Sequence, residues 1–569
     1  MDVPWRLPDP ETAEAARLAR EAGISEMLAG LLRRRGVRTA QEARRFLSPD
    51  AAGLHEPSLL MGAEAAADLL VSTARRGRRV VVFGDYDVDG VTAVAQLRAA
   101  LTRIGADAAA FIPHRLRDGY GLKPDTVRRV LRELSPAAIV TVDCGITAVE
   151  GVAAAREAGV DVIVTDHHLV PAALPDGAIV VNPKQPGCAY PEKELAACGI
   201  ALKLAQVIAR RAGVSLSQDS LLRAACLGTI ADLVPLTGEN RVIAAAVLSA
   251  LAQARAPGLR ALLAEAGVAP GSAPTAEQVA FRIAPRLNAA GRLDSALLAL
   301  SLFEERDGAR AAETARELST RNTERQALER RVVAEARERI ALDSSLEGAA
   351  LIVEGDAGWH RGVLGIAASR LAREYHRPVL LFGLEGEQAS GSGRSIPGVS
   401  LHALMTQLRQ HFTDFGGHTQ AVGASMPRAG FEAFRSQARA LFRDQVSSAA
   451  LARHEDAEAE LSLQSIHGDL IQELARLEPH GSGNPRPTFL ARGIRTAGAM
   501  RSVGSHGLKG RLRRDRGDLA CIAWDPAPQL ADWAAGARPL DIHYRVAPPE
   551  RGYDLQIEIL AARPEQRPA

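Results

Sequence analysis

The run Val80-Val81-Val82-Phe83-Gly84-Asp85-Tyr86-Asp87-Val88-Asp89-Gly90 constrains the chain more than any other stretch. Its four leading β-branched and aromatic residues, bounded by Arg78-Arg79 and Gly84, form a run too short for a helix and predict a buried strand. Three alternating carboxylates follow just past the strand end. Carboxylates packed this closely repel one another, and a folded chain tolerates them when a cation neutralises them or water surrounds them. The spacing of Asp85, Asp87, Asp89 and Gly90 also fits the first half of a calcium-binding EF-hand loop. That loop requires a glutamate at its twelfth position and helices on both sides. Position 96 is Gln96 and the preceding segment is a strand, so the EF-hand is excluded.

From Val80 to about Asn182 apolar runs alternate with helical patterns. Strands are expected at 80–83, 108–112, 137–142, 160–165 and 178–181, with helices at 91–104, 124–134 and 148–158. Continuous apolar strands separated by helices of this length predict a parallel α/β sheet covered on both faces. Polar chemistry follows each of the first four strands: Asp85-Asp87-Asp89, His114-Arg115, Asp143, and Asp166-His167-His168. Open α/β sheets bind ligands outside the carboxyl ends of their strands. Four separate stretches therefore converge on one edge.

At 569 residues the chain has room for about three to four domains with their own cores. Its five cysteines are scattered without a C-x-x-C pair, which excludes a zinc ribbon and a secreted disulfide framework and points to a reducing compartment. No leader pattern opens the chain and no stretch approaches the roughly 20 apolar residues of a membrane helix, so a cytoplasmic protein is expected. A net charge of +2 says nothing by itself about nucleic acid.

A helical lead-in is expected over 10–48, and mostly helical structure over 195–265 and 275–303. Within it, Asp232 in Gly228–Pro235 reads as a helix cap or Asx turn unless partners promote it. Arg282–Arg292 reads as an anion-contacting turn or a surface loop. The charged run 304–340 predicts one long helix, about 50 Å from end to end, connecting two domains. A second α/β unit begins at Ala349 and contains Ser390-Gly391-Ser392-Gly393-Arg394-Ser395 and Phe415-Gly416-Gly417-His418, read as phosphate-approaching segments or tight turns. After about Ala450, short strands at 489–495, 508–513 and 519–524 suggest a small β barrel. Its basic patch of Lys509, Arg511, Arg513, Arg514 and Arg516 is either a solvated face or a single-strand platform.

Asp87, Asp89, Asp143 and His167, with Asp85 and Asp232 as further candidates, make a mixed carboxylate and imidazole set. Such a set suits manganese or a similar divalent ion better than calcium or structural zinc. Two ions sharing a carboxylate is the arrangement that clamps attacking and leaving oxygens in phosphoryl hydrolysis. Adjacent residues leaving a strand diverge, so His167 and His168 are expected to play different parts.

The motifs F-G-D-Y-D-V-D-G at 83–90, P-H-R-L-R-D-G-Y-G at 113–121, V-D-C-G at 142–145, D-H-H at 166–168, S-G-S-G-R-S at 390–395 and G-G-H at 416–418 together resemble the DHH/DHHA1 phosphoesterases. P-R-L-N-A-A-G-R at 285–292, the long helix and the barrel are similar to the bacterial single-strand-specific exonucleases of that superfamily. The resemblance implies an α/β fold: a parallel-sheet DHH domain and a smaller DHHA1 domain joined by a long helix, plus a C-terminal OB-like barrel. Its boundaries would be a lead-in at 1–48, the DHH domain at 49–303, the connecting helix at 304–342, DHHA1 at 343–448 and the barrel at 449–569. It implies hydrolysis of single-stranded DNA from the 5′ end to mononucleotides in repair and recombination, with two Mn²⁺ or Mg²⁺ ions. By motif, Asp87, Asp89, Asp143, His167 and Asp232 would be metal ligands, with Asp143 bridging and Asp85 less securely a ligand. His168 would contact the scissile phosphate. Arg115, Arg286, Ser392 and Arg394 would bind DNA phosphates, Tyr120 the nucleotide, and His418 would line the cleft. Implied partners are single-stranded DNA, a single-stranded-DNA-binding protein and a helicase, with no membrane, and the chain would act as a monomer. The alternatives are a phosphodiesterase of the same superfamily acting on short oligonucleotides or cyclic dinucleotides, and a non-catalytic DNA-binding relative.

Overall fold

The computed structural model describes all residues except 1–3, 9–11, 116, 344–348, 505–506, 516, 525–528, 536–537, 548–554 and 566–569. The chain folds as two compact units. One comprises His55–Asp232 with Val247–Ala452, and the other Met1–Leu54, Leu233–Ala246 and Arg453–Ala569.

The first unit is built on a five-stranded, all-parallel sheet in the spatial order Ala108–Phe111, Val80–Gly84, Ala138–Val142, Asp161–Thr165, Ile179–Val181. Its central strands are buried throughout, as continuous Val and Ile runs require when helices cover both faces. Val80–Gly84 has the second strand on one side and the third on the other. The chain therefore reverses direction across the sheet there, opening the crevice in which such folds bind ligands.

A second sheet in the same unit has the order Asp414–His418, Ala421–Pro427, Gln388–Arg394, Val379–Glu385, Ile352–Asp356, with only the last two parallel. Both glycine-rich segments are strands rather than turns. Gly391 leaves room for Phe382, whose ring a Cβ would meet at 2.5 Å, so close packing dictates that glycine. The long helix Gly308–Leu342 packs its first half on the helices Pro257–Glu265 and Ala284–Leu293. Its second half buries Val332, Val333 and Ala336 against the helix Arg361–Tyr375 and the second sheet.

In the other unit the sheet runs Ala459–Glu460, Phe489–Ile494, Leu540–Ala547, Gln556–Pro564, Leu519–Trp524, Gly507–Leu512, Arg501–Val503. A bridge from Thr496 to Leu512 and hydrogen bonds from Ala497 N to Arg511 O (2.8 Å) and Arg513 N to Arg495 O (2.8 Å) close its five principal strands into a barrel. The helices Thr12–Ala22, Glu26–Arg34 and Ala40–Leu47 share the barrel's core through Leu18, Leu28, Leu32 and Phe46. Arg241, 1% exposed, donates to the carbonyls of Phe46, Leu477, Pro479, Arg476 and Glu478 and lies 3.9 Å over the Phe46 ring, tying the unit's three chain segments together. Arg516 lies outside the described residues. All five cysteines are buried and free. Among the described residues no helix is long and apolar enough to cross a membrane.

Candidate active site

The helix after the first strand starts at Val88, three residues before its sequence pattern suggested. Asp87 caps it by accepting from Gly90 N–H at 3.0 Å. Asp89 thus lies in the first helical turn and not in a loop. It is fully buried, and its two oxygens accept the N–H groups of Ala197 and Cys198, each at 2.8 Å, at the start of the helix Ala197–Ala212. That positive helix end compensates a buried charge that would otherwise be costly. Gly90 is required because a Cβ there would meet Asp85 O at 2.6 Å.

Asp143 follows the third strand in the left-handed region (φ 61°). His167 Nε2 lies 3.2 Å from Asp143 Oδ1 and 3.6 Å from Asp232 Oδ2. Asp232 ends the helix Gln218–Ala231, where its backbone N–H bonds Gly228 O at 2.9 Å, and its carboxylate faces His167 instead of capping a helix or turn, so its partners promote it. Among the described residues, three groups of potential ligand atoms each fit within 4.8 Å: Asp85, Asp87 and Asp143; Asp89, His167 and Asp232; Asp143, His167 and His168. Burial, then neighbouring carboxylates, pushes Asp85, Asp143 and Asp232 well above the usual range. Burial and then Asp87 raise Asp89 to about 6 against the opposing amide hydrogen bonds. Burial and then His168 push His167 down to about 3, leaving its imidazole neutral with a lone pair to offer.

The donor set fits divalent cations on a direct observation. Asp85 Oδ1, Asp143 Oδ1 and His167 Nε2 are buried without a hydrogen-bond partner, and such orphans are rare unless an ion or water satisfies them. A cation would also relieve the repulsion that raises the carboxyls.

Asp166, the first residue of D-H-H and absent from the expected site set, positions the two histidines. It accepts from Ile146 N (3.0 Å), His167 N (2.8 Å) and His168 N (3.1 Å), and lies 2.7 Å from His168 Nδ1. Burial alone would raise its carboxyl, but His168 and the backbone amides hold it below the usual value. For His168, burial is outweighed by Asp166, and its basicity is raised. The two histidines diverge as expected: His167 faces Asp143 and Asp232, and His168 faces Asp166. Tyr120 Oη donates to Asp143 O at 3.2 Å, and His418 stacks on His168 with centroids 6.2 Å apart.

Three arginines gather beside these acids. Arg115 lies 4.9 Å over the Tyr86 ring. Ser392 and Arg394, two apart on one strand, share a face, and Arg394 Nη1 donates to Ser392 Oγ at 3.3 Å. The third is Arg292, where the expected residue was Arg286. Segment 279–293 is helical, a π turn at Val279–Ile283 followed by Ala284–Leu293, and not a turn or loop. Arg286 and Arg292 point to different sides of it. Arg286 Nε donates to Ser319 Oγ at 3.0 Å, and its charge neighbours are Glu265 and Arg282. Asn288, one turn before Arg292, accepts from Val88 N–H at 3.1 Å. Burial pushes Arg292 down to about 9, and the charges that then reach it are Arg115, Arg325, Asp87 and Arg394. Glycines permit the approach: Cβ atoms on Gly291, Gly362 and Gly365 would meet Tyr86 O at 2.3 Å, Arg292 O at 2.2 Å and Ser392 Oγ at 2.9 Å. Helical spacing within 285–292 is the signal that would have found Arg292, since Asn288 and Arg292 share a face that excludes Arg286.

Residues 79–229 match the DHH family N-terminal domain, 348–444 the DHHA1 domain and 457–552 the RecJ OB domain. The single-stranded-DNA-specific exonuclease RecJ of Bacillus subtilis is 34% identical over 541 residues, covering 94% of this chain and 67% of that protein. Its counterpart from Salmonella typhimurium is 34% identical over 501 residues, covering 84% and 85%. The crystal structure of Thermus thermophilus RecJ in complex with Mn²⁺ superposes with a TM-score of 0.83 at 31% identity, covering 100% of this chain and 80% of that one. The Mg²⁺ complex of RecJ from the same organism gives 0.77 at 28% identity, covering 99% and 79%. With three matched domains in order and about a third of the residues identical across most of its length, the chain belongs to the RecJ family of DHH phosphoesterases.

Proposed function

We propose that this chain is a single-strand-specific 5′-3′ DNA exonuclease that releases mononucleotides by metal-dependent hydrolysis. The observation that carries the reading is the convergence of buried, unpartnered Asp85 Oδ1, Asp143 Oδ1 and His167 Nε2. Asp87, Asp89, Asp143, His167 and Asp232 would hold two Mn²⁺ or Mg²⁺ ions, with Asp143 shared and Asp85 a further candidate. Such ions, when bound, neutralise phosphate charge and favour ionisation of an attacking water. Asp166 fixes His168 through Nδ1 and so aims Nε2, which would donate to a non-bridging oxygen of the scissile phosphate. Water adds to phosphorus in line, the P–O3′ bond breaks, and the departing O3′ takes a proton. Arg115, Arg292, Arg394 and Ser392 would hold the 5′ phosphate, Tyr120 and His418 would bound the first nucleotide, and Arg286 would touch DNA only outside the site.

In this reading 49–303 and 343–448 supply catalysis, 304–342 joins them, and the barrel of 449–569 adds a second contact for single-stranded DNA, with 1–48 leading in. Cytoplasmic residence, monomeric action and partnership with a single-stranded-DNA-binding protein and a helicase belong to the same proposal. The test is digestion of 3′-labelled single-stranded DNA with free or phosphorylated 5′ ends, with and without Mn²⁺. Mononucleotide release should require metal, and Asp143→Ala and His167→Ala should abolish it. Near-normal activity in either variant would overturn the assignment.

A further inference from the structure

The last strand of the parallel sheet contributes a cation that none of the motifs contains. Thr165 and Val181 are paired across neighbouring strands, so Asn182-Pro183-Lys184 leaves the sheet beside Asp166-His167-His168. Asn182, fully buried, clamps the two loops together. Its Nδ2 donates to His168 O at 3.0 Å and its Oδ1 accepts from Lys184 N at 2.8 Å. Lys193 Nζ pins the same loop from behind by donating to Pro183 O at 2.9 Å and Cys188 O at 2.7 Å. The loop then runs to Ala197 and Cys198, whose amides hold Asp89. One end of the segment that carries Lys184 is thus anchored to His168, the candidate contact for the scissile phosphate, and the other to the candidate metal ligand Asp89.

The Lys184 side chain is only 17% exposed and pairs with Glu194 at 2.9 Å, while Glu194 is 51% exposed. After burial, its charge is among those reaching His167, Asp232 and His418. The arginines act on the other end of the cluster, Arg115 on Asp85 and Arg292 with Asp87. Positive charge therefore flanks the acidic centre on two sides. On one side lie the three arginines proposed for the 5′ phosphate. On the other lies a single lysine held on a rigid loop. A strand whose first phosphate sits among the arginines and whose second lies at the acidic centre presents its third phosphate beyond that centre. A lone ammionium-type point charge suits one phosphate without demanding a fixed angle.

We infer that Lys184 contacts the phosphodiester one nucleotide to the 3′ side of the scissile bond, exchanging its pairing with Glu194 for that phosphate. The inference rests on the exonuclease reading above. Substrate length tests it, because a 5′-phosphorylated dinucleotide lacks the phosphate in question and a trinucleotide has it. Lys184→Ala should lose about 10-fold more kcat/KM on the trinucleotide than on the dinucleotide, the scale of one charge-assisted hydrogen bond. Lys184→Arg should restore most of the difference. Binding of a fluorescein-labelled 20-mer without divalent ions should show a salt slope reduced by about 0.7 in Lys184→Ala. Equal losses on both substrates, or an unchanged salt slope, would overturn the contact while wild-type hydrolysis of the dinucleotide leaves the exonuclease reading standing. Absence of that hydrolysis in the wild type would overturn both.

Discussion

Gly228→Ala should disable the site without unfolding the chain. The helix Gln218–Ala231 meets the acid-bearing helix Val88–Arg103 at this glycine. An added methyl would lie 2.5 Å from Thr92 Oγ1, 2.6 Å from Cys198 Sγ and 2.9 Å from Asp89 Oδ1, where ordinary contact begins at 3.4 Å. Thr92 is held by the carbonyls of Val88 and Asp89, and Asp89 by two amides, so neither can yield easily. The helix must instead withdraw by about 1 Å. Asp232 terminates that helix and its N–H bonds Gly228 O at 2.9 Å, so it moves with it, away from His167 and Asp89. A displacement of about 1 Å in a reacting constellation costs roughly 10²-fold in rate. Overpacking costs about 1–3 kcal/mol, and alanine recovers about 1 kcal/mol of helix propensity, so the fold persists. The assay pairs kcat/KM on 5′-phosphorylated single-stranded DNA with thermal melting. Gly308→Ala, where nothing lies within 4 Å of the added methyl, is the control. Activity within threefold of wild type would refute the reasoning, as would a loss that tracks a collapsed melting transition.

Three further predictions concern the barrel unit. Register places Arg501, Lys509, Arg511 and Trp524 on one outward face, with Trp524 50% exposed, while Arg514 turns back to the carbonyls of Ile466 and Gly517. Trp524→Ala should weaken single-stranded DNA binding by about 1–3 kcal/mol, one stacked base, and Lys509→Ala with Arg511→Ala should lower the salt slope by about 1.4; fluorescence anisotropy at several salt concentrations checks both. His480 has an unpartnered Nδ1 and is pushed down to about 3 by burial and then by Arg486, Arg35 and Arg241. The unfolded histidine takes a proton near pH 6.5 and the folded one does not, so stability is full above that pH and falls steadily as pH drops toward about 3. His480→Gln should flatten the decline in urea midpoint between about pH 6.5 and pH 5, and an unchanged slope would count against the burial account.

The parallel sheet was legible in the chain because strands buried on both faces must be continuously apolar, and Val80–Val82 and Ala138–Val142 have no alternative. The convergence of Asp85, Asp87, Asp143 and His167 was legible for the same reason, since parallel strands deliver their carboxyl ends to one edge. The glycine strand Gln388–Arg394 was not, because Gly391 answers to the Phe382 ring and Gly393 to Leu380, Leu401 and Val422, and no local pattern carries those demands. Nor was the union of the N-terminal helices with the barrel, which is a matter of shared core between segments more than 400 residues apart.

The site divides along the same line. Which residue types meet, and that they need a cation, followed from the sequence, because like charges at strand ends admit few resolutions. Which of those residues are already satisfied was decided only by tertiary structure. Asp89 is bonded to the amides of a helix more than 100 residues away, Asp166 is spent on positioning its histidines, and the helical turn brings Arg292 beside Asp87 while Arg286 faces Ser319. A hydrogen bond's partner and a helix's facing side are properties of position in space, and spacing along the chain does not contain them.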